Sequence, residues 1–328
     1  MEKYIIDFSK QLTEAIEIGK SFVGSETDRG FSNVVISGMG GSGIGGTIAT
    51  ELVLDEAVIP ILTTNGYSIP VFVDEHTLFI ACSYSGNTEE TLSATESAKA
   101  AGAKIVVIVS GGKLLQMADA NGWDSIIIPG GQPPRASFGY SFPQVLFVLN
   151  AFGVISDEFV GDLEASIELL DTTESEVCAE AKEMTEELFG KTPVIYAAEG
   201  FGGVATRFRQ QVNENSKMLC WHHVIPEMNH NELVGWRNKN NDLAVIIFRN
   251  TSDFNRIQAR MDINSTTFAQ YTDTVIEVWS KGKTNLQRSL YLIHIGDWVS
   301  CYLGEKNGRD VLEVKVIDHL KDELAKLA

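Results

Sequence analysis

Cysteine is scarce and scattered in this sequence. The four cysteines, Cys82, Cys178, Cys220 and Cys301, lie far apart and form no C-x-x-C pair. A disulfide framework and a cysteine-based zinc site both need closer, paired spacings. The pattern is typical of buried thiols in a reducing compartment, and we expect a cytoplasmic protein.

The sequence also has few basic residues and lacks long apolar runs. Lys and Arg number 26 against 44 Asp and Glu, a formal net charge of −18, which argues against a nucleic-acid partner and against an anionic membrane surface. Charges interrupt the apolar residues of segment 1–7, so it does not resemble a signal peptide. No run approaches the roughly 18 apolar residues of a membrane span. We therefore expect neither nucleic acid nor membrane among the partners.

The first half of the chain alternates short apolar runs with helix-like segments. Short connections between such runs predict a doubly wound α/β domain, in which helices cover both faces of a parallel sheet. The predicted strands are 34–37, 58–63, 78–82, 105–110 and 125–128, and the predicted helices are 47–54, 89–99, 114–121 and 141–152.

An acidic segment separates the two halves. Between Asp157 and Glu187 twelve residues are acidic and only Lys182 is basic. Apolar residues nevertheless recur near helical spacing, at positions 163, 167, 170, 177, 181, 184 and 188. This pattern predicts a helical connector with one apolar face and one solvated acidic face. We place the domain boundary there, with one domain over residues 1–155 and the other over 156–328.

The strand and helix alternation restarts after the connector. The predicted strands are 194–197, 243–248 and 274–278, and the predicted helices are 204–218, 256–270, 285–303 and 316–327. Because the order resembles that of the first half, we expect two tandem doubly wound parallel-sheet domains joined by the helical connector.

A serine- and threonine-rich junction follows the apolar run 78–81. Ser83, Ser85 and Thr88 fill a short loop, after which residues 89–99 have helix-forming composition. Free backbone N–H groups and the positive end of a helix dipole can hold a phosphate without any Lys or Arg. The alternative is that Ser85 or Thr88 merely caps the helix.

A glycine-rich run, 38–46, follows the first predicted strand. Loops at the carboxyl ends of parallel strands gather on one edge of an open sheet, where ligands bind, so this run and the serine junction can face one substrate. Gly38, Gly40 and Gly43 also fit the G-x-G-x-x-G dinucleotide pattern. That pattern needs an acidic residue at the end of the second strand, and residues 64–67 supply none. A nicotinamide dehydrogenase is therefore disfavoured.

Five motifs occur in a fixed order along the chain. They are Gly38-Met39-Gly40-Gly41-Ser42-Gly43, Ser83-Tyr84-Ser85-Gly86-Asn87-Thr88-Glu89-Glu90-Thr91, Pro134-Arg135-Ala136-Ser137, Asn213-Glu214-Asn215 and Asn229-His230-Asn231-Glu232. Together they resemble the bifunctional phosphoglucose/phosphomannose isomerases, which are sugar isomerase (SIS) domain proteins. The resemblance spans nearly the whole chain. It implies tandem SIS domains, a sugar 6-phosphate substrate, a homodimer and no metal or other cofactor.

The resemblance also implies roles for single residues. Phosphate is expected at the hydroxyls of Ser42, Ser83, Ser85 and Thr88 and at the amides of Gly40 and Gly41. Glu214 is expected to move a proton between C1 and C2 of the sugar, Arg135 to stabilise the enediolate, and His230 to assist ring opening from the partner subunit.

One further role falls on a C-terminal lysine that contacts the sugar ring. Lys321 matches this lysine best, and Lys315 and Lys326 are the alternatives.

Each catalytic candidate has an ordinary alternative. Glu214 on a helix is commonly a solvated or ion-paired surface residue, and an arginine such as Arg135 commonly pairs with nearby carboxylates for structural reasons. The histidines and glutamate within 222–230 suggest a metal site, but their spacing fits no recognised one. The alternative function is a regulatory protein that binds sugar phosphates without catalysis, which would need the phosphate loops but neither Glu214 nor His230.

Overall fold

The computed structural model describes residues 1–26 and 29–327. Its first half contains a five-stranded sheet with strands β1 (Asn33–Gly38), β2 (Ile61–Thr64), β3 (Thr77–Ser83), β4 (Lys104–Val109) and β5 (Asp124–Ile127). The helices of this half are α1 (Glu2–Ile6), α2 (Phe8–Ser21), α3 (Gly40–Leu52), α4 (Glu89–Ala100), α5 (Gly112–Asn121) and α6 (Phe138–Ala151). All paired strands are parallel, in the order β2-β1-β3-β4-β5. The predicted α/β class is confirmed, although α1 and α2 were not predicted.

A second parallel sheet repeats the plan of the first. Its strands are β6 (Thr192–Ala198), β7 (Trp221–Ile225), β8 (Leu243–Arg249) and β9 (Val275–Trp279). Its order, β7-β6-β8-β9, is the order β2-β1-β3-β4 of the first sheet. The helices of this half are α7 (Glu158–Leu188), α8 (Gly202–Gln211), α9 (Asn255–Phe268), α10 (Asn285–Lys306) and α11 (Lys315–Leu324). The predicted repetition of the architecture is confirmed.

The acidic connector is one continuous helix, α7, of 31 residues. It packs along α10 and α2. Six of the seven apolar positions predicted for its inner face are buried, namely Leu163, Leu170, Val177, Ala181, Met184 and Leu188. They belong to one hydrophobic core that includes residues of both sheets, while separate clusters cover the outer face of each sheet. The connector is therefore part of the core and not a surface linker.

Two helix boundaries differ from the sequence prediction by more than three residues. The helix α3 begins at Gly40 and not at residue 47, because the glycines of this run allow the helix to pack closely on β1. A Cβ at Gly43 would lie 2.4 Å from the carbonyl oxygen of Gly38. The helix predicted over 204–218 ends earlier, and the chain continues as a π-helical turn, Val212–Ser216, that stops at Lys217 with a left-handed φ of 59°.

The strand β7 was missed, because its sequence Trp-His-His-Val-Ile lies at a sheet edge and lacks an apolar run. Within the described residues, no helix is both long and apolar enough to cross a membrane.

The packing of α7 can be tested by truncating its buried face. Leu163 has no exposed surface, so Leu163→Ala should lower the free energy of unfolding by about 2–5 kcal/mol, because a cavity is left behind. Glu168 is exposed on the same helix, and Glu168→Ala should stay within about 0.5 kcal/mol of wild type. Urea unfolding measures both variants, and equal small effects would contradict the core role of α7.

Candidate active site

The two predicted phosphate loops leave neighbouring strands. We call residues 38–43 the glycine loop and residues 83–88 the serine loop. β1 and β3 pair along their whole length, up to Gly38 opposite Cys82. The chain passes from β1 outward to β2 and from β3 outward to β4, on opposite sides. Ligands of open α/β sheets bind at such a topological switch point, beyond the carboxyl ends of the strands.

A hydrogen bond ties the two loops together. The Ser42 hydroxyl accepts from the Tyr84 amide at 3.0 Å. Within the described residues, the Gly40 and Gly41 amides have no backbone acceptor, whereas the Ser42 and Gly43 amides donate to the Met39 carbonyl. No side chain of Met39 caps this helix. The first amides of α3 are therefore open to an anion, which the helix dipole favours.

The hydroxyls of the serine loop do not cap α4. Thr88 is the N-cap residue, yet its side chain makes no capping bond. Its hydroxyl instead lies 2.9 Å from the hydroxyl of buried Ser83, while exposed Ser85 accepts from the Asn87 amide at 3.2 Å. The structure does not support the capping alternative for these side chains. They are arranged as a group of hydroxyls beside an uncapped helix amino terminus.

A third loop, between β4 and α5, packs against the serine loop. Gly86 has a left-handed φ of 66°, and a Cβ there would lie 1.8 Å from the Gly111 carbonyl oxygen. The Asn87 carboxamide oxygen accepts from the Lys113 amide at 3.1 Å. No other residue fits at position 86, because the contact is with rigid backbone and the conformation is one that favours glycine. These contacts hold the serine loop against the loop between β4 and α5.

Arg135 joins the glycine loop to the second half of the molecule. It lies in a 3₁₀ turn, Pro134–Ala136, and only 4% of it is exposed. A Cβ at Gly41 would lie 3.1 Å from the backbone nitrogen of Arg135, so the loop and the turn are in close contact. Its guanidinium donates from Nε to the Asn215 carboxamide oxygen at 2.7 Å and from Nη1 to the Glu214 carboxylate at 3.4 Å.

The rest of the guanidinium binds the C-terminal segment. Nη2 donates to the carbonyl oxygens of Val311 at 2.7 Å and Leu312 at 3.2 Å. Burial lowers the pKa of Arg135, and the nearby carboxylates, Glu214 first among them, oppose that shift. An arginine stays protonated under such conditions. The site therefore holds a fixed positive charge beside Glu214.

Glu214 lies in the π-helical turn that follows α8, with 26% of its side chain exposed. Its neighbour Asn215 is buried and donates to the Ser300 hydroxyl at 2.9 Å. Further back on α8, Arg207 donates to the Arg135 carbonyl at 3.2 Å and to Asp297 at 2.7 Å. Glu214 thus reaches solvent from a turn that is anchored on both sides. An ordinary surface carboxylate lacks such anchoring.

Lys217 is a site residue that the sequence motifs did not identify. Its Nζ donates to the backbone carbonyls of Glu214 and of Glu313, the latter at 2.7 Å. Burial is the main cause that lowers the pKa of Lys217, Arg135 adds to the shift, and Glu313 opposes it. Its position three residues after Glu214 is the only signal in the sequence.

A cavity of about 340 Å³ opens beside Glu214 and Lys217. The start of α11 lines its other side through Lys315, Val316 and Ile317. Of the three candidate C-terminal lysines, only Lys315 is among the lining residues.

Lys321 lies four residues after Ile317, which places it one turn further along the same face of α11. Lys326 is exposed and pairs with Glu323 at 2.6 Å.

His230 does not meet Glu214 within one chain. The helix α8 runs antiparallel to β7, because Thr206 Oγ1 lies 2.9 Å from His222 Nε2, while Arg209 contacts Cys220, just before the strand. Glu214 therefore lies near the start of β7. His230 is exposed in a 3₁₀ turn beyond its end. Glu214 lies twelve positions after Gly202, which corresponds to about 18 Å of helix between the two ends.

The histidines near β7 do not gather around a metal position. Among the described residues, no group of three or more His, Cys, Asp or Glu is arranged to hold an ion. His222 instead bonds Thr206, and burial, with Arg209 as a second cause, lowers the pKa of its imidazole.

The fold and the site define a sugar isomerase (SIS) domain protein. A family model, the bacterial phospho-glucose isomerase C-terminal SIS domain, matches residues 178–324. The chain shares its fold with the C-terminal domain of glucosamine-fructose-6-phosphate aminotransferase from Francisella tularensis, with a TM-score of 0.76 at 14% identity over 96% of this chain and 98% of that one. The tagatose-6-phosphate ketose/aldose isomerase from Escherichia coli gives 0.73 at 14% identity over 95% of each chain.

Full-length relatives identify the family. The bifunctional phosphoglucose/phosphomannose isomerase of Caldicellulosiruptor bescii is 39% identical over 100% of this chain and 99% of its own length. The protein of the same name from Thermoplasma volcanium is 36% identical over 98% of this chain and 100% of its own. The chain belongs to the bifunctional phosphoglucose/phosphomannose isomerase family.

The serine loop predicts a phosphate-binding defect in two variants. Ser85→Ala and Thr88→Val should each raise the KM for fructose-6-phosphate about tenfold, because each removes a hydrogen bond to a charged group. Ser97→Ala removes a hydroxyl that bonds only within α4 and should leave the KM unchanged. Steady-state kinetics give these values, and a wild-type KM in both loop variants would contradict the phosphate assignment.

Proposed function

We propose that this protein interconverts glucose-6-phosphate and mannose-6-phosphate with fructose-6-phosphate. The observation that supports this most directly is the position of Arg135, which contacts the glycine loop on one side and the Glu214 carboxylate on the other. A phosphate-binding edge and a carboxylate suited to proton transfer thereby belong to one site. The names of the full-length relatives agree with this activity.

The phosphate is held by neutral donors in this proposal. The open amides of Gly40 and Gly41 and the hydroxyls of Ser42, Ser83, Ser85 and Thr88 surround the amino termini of α3 and α4. Hydrogen bonds to a charged acceptor are about twice as strong as those between neutral groups. A protein with a net charge of −18 can therefore bind a phosphate through amides and hydroxyls alone.

Glu214 then acts as the base on the open-chain sugar. Its carboxylate takes the proton from C2, the C2–H electron pair forms the C1–C2 double bond, and the carbonyl oxygen on C1 becomes the enediolate oxygen. Arg135 stabilises that negative charge from a fixed, buried position. Return of the proton to C1, together with transfer of the proton from the C2 hydroxyl to the C1 oxygen, gives the ketose with its C1 hydroxyl. The same intermediate serves both aldoses, because they differ only at C2.

His230 enters from a partner subunit in this proposal. Its place beyond the far end of β7 supports this, since Glu214 lies near the start of that strand. A symmetric homodimer in which each subunit lends His230 to the other would complete two identical sites. His230 would transfer protons during ring opening, a task that suits histidine near neutral pH.

We also propose roles for a C-terminal lysine and for the two domains, and a cellular compartment. Lys321 contacts the sugar ring, supported by its position on the same face of α11 as Ile317 of the cavity wall. The site lies between a first domain, 1–155, which supplies Arg135, and a second, 156–328, which supplies Glu214. The protein works in the cytoplasm, which its four free cysteines support.

The alternative, a regulatory protein that binds sugar phosphates without catalysis, is not favoured. The full-length relatives are named isomerases. A mere binding module would also have no need for a buried arginine paired with Glu214.

The proposed reaction predicts activity on both aldose phosphates. Coupled assays should show turnover of glucose-6-phosphate and of mannose-6-phosphate, unchanged by EDTA, and in deuterated water the ketose product should gain deuterium at C1. The reason is that one base returns the exchanged proton to C1 of a shared enediolate. Turnover of only one aldose, or mannose-6-phosphate activity that EDTA abolishes, would contradict a single shared site.

The shared site between subunits predicts complementation. Glu214→Gln and His230→Ala should each lose about 100-fold or more in kcat, which is the usual contribution of an acid–base group. In a mixed dimer one site carries both substitutions and the other carries neither. Random mixing of equal amounts by co-expression should therefore restore about a quarter of wild-type activity, given one intact site in each mixed dimer. If co-expression restores no activity, each site is built from one chain.

A further inference from the structure

The helix α8 is capped by a residue from the other half of the molecule. Its own N-cap residue, Phe201, has no side-chain group that could accept a hydrogen bond. The carboxylate of Glu51, near the end of α3, caps the helix instead. Both of its oxygens lie 2.9 Å from the Gly203 amide nitrogen. A negative charge at a helix amino terminus is also favoured by the helix dipole.

Two glycines make this contact possible. A Cβ at Gly202 would lie 3.0 Å from a Glu51 carboxylate oxygen, and a Cβ at Gly203 would lie 2.7 Å from Ile48 Cγ1. A larger residue at either position would displace the side chains it meets, Glu51 or Ile48, or move α8 away from α3. Burial raises the pKa of Glu51, and the bond from the Gly203 amide opposes that shift. The carboxylate thus occupies a confined position between the two helices.

The helices α3 and α8 form an antiparallel pair that spans the active site. The end of α3 contacts the start of α8 through Glu51 and Gly203. At the opposite end of the pair, the start of α3 contacts Arg135 at Gly41, and Arg135 bonds Glu214. Glu51 lies ten positions after Gly41, and Glu214 lies eleven positions after Gly203. These correspond to about 15 Å and about 16 Å of helix.

The matched lengths place the phosphate-binding end of α3 level with Glu214. We propose that Glu51 is a positioning residue for the isomerase reaction: its bond to the Gly203 amide sets the register between α3 and α8, and thereby the distance from the bound phosphate to the Glu214 carboxylate. This inference rests on the proposed function. Glu51 acts through α8 and does not touch the substrate.

The register matters because proton transfer depends steeply on geometry. A displacement of about 1 Å can cost about 100-fold in rate. The phosphate loops belong to the first sheet and do not include Glu51. Glu214 and Arg207 both lie on the α8 side of the pair. A slip of α8 would therefore move the base relative to the substrate without altering the phosphate site.

The test compares kcat and KM in variants of this contact. Glu51→Ala should lower kcat about tenfold or more, with the KM for fructose-6-phosphate within about twofold of wild type, because the base is displaced and the phosphate loops are intact. Glu51→Gln keeps one carbonyl oxygen for the Gly203 amide and should recover most of the lost kcat. Asp55→Ala removes an exposed carboxylate four residues further on and should match wild type.

A second variant changes the same contact on the side of α8. Gly203→Ala should also lower kcat with little change in KM, since the added methyl group meets Ile48, and it decides the matter if Glu51→Ala does not fold. A wild-type kcat in the folded variants, or a loss expressed only as a raised KM, would overturn the positioning role. Inactivity of the unsubstituted protein on both aldose phosphates would instead overturn the proposed function and this inference with it.

Discussion

The hydrogen bonds of one buried guanidinium hold the site together. Arg135 comes from the first half of the chain, and its side chain ends among groups of the second half: Asn215, Glu214 and the carbonyls of Val311 and Leu312. A buried cation is costly unless it is fully paired. The two halves must therefore stay docked for Arg135 to remain satisfied. Because the Arg135 backbone contacts the glycine loop at Gly41, the same docking aligns the glycine loop with Glu214.

The two halves share one strand order but use equivalent helix termini differently. α3 follows β1 and α8 follows β6, the corresponding strand of the second sheet. The amino terminus of α3 has open amides beside the serine loop, whereas Glu51 already occupies the amino terminus of α8. An anion site exists only where the amides are free. Of these two equivalent helix termini, only that of α3 therefore leaves amides open to an anion, while that of α8 is an attachment point between the halves.

The sequence predicted the elements whose pattern is local and missed those that depend on neighbours. Buried strands such as β3 were predicted correctly, because fully buried parallel strands are continuous apolar runs in the sequence. Edge strand β7 has no such run, and the start of α3 was obscured because its glycines serve close packing on β1 and not a loop. The motifs placed Glu214 and Arg135 in one site. They gave no sign of Lys217 or Glu51, whose importance comes from contacts with residues distant in sequence.

The separation of Glu214 and His230 has a physical cause in the fold. Because α8 runs antiparallel to β7, a residue at the end of that helix and a residue in the loop after that strand lie at opposite ends of the strands. Glu214 follows α8 and His230 follows β7, so no side-chain rotation can bridge about 18 Å between them. In the proposed mechanism a second chain brings an equivalent histidine to the Glu214 end. Proton transfer at carbon would then be built within a subunit, while ring opening would depend on assembly.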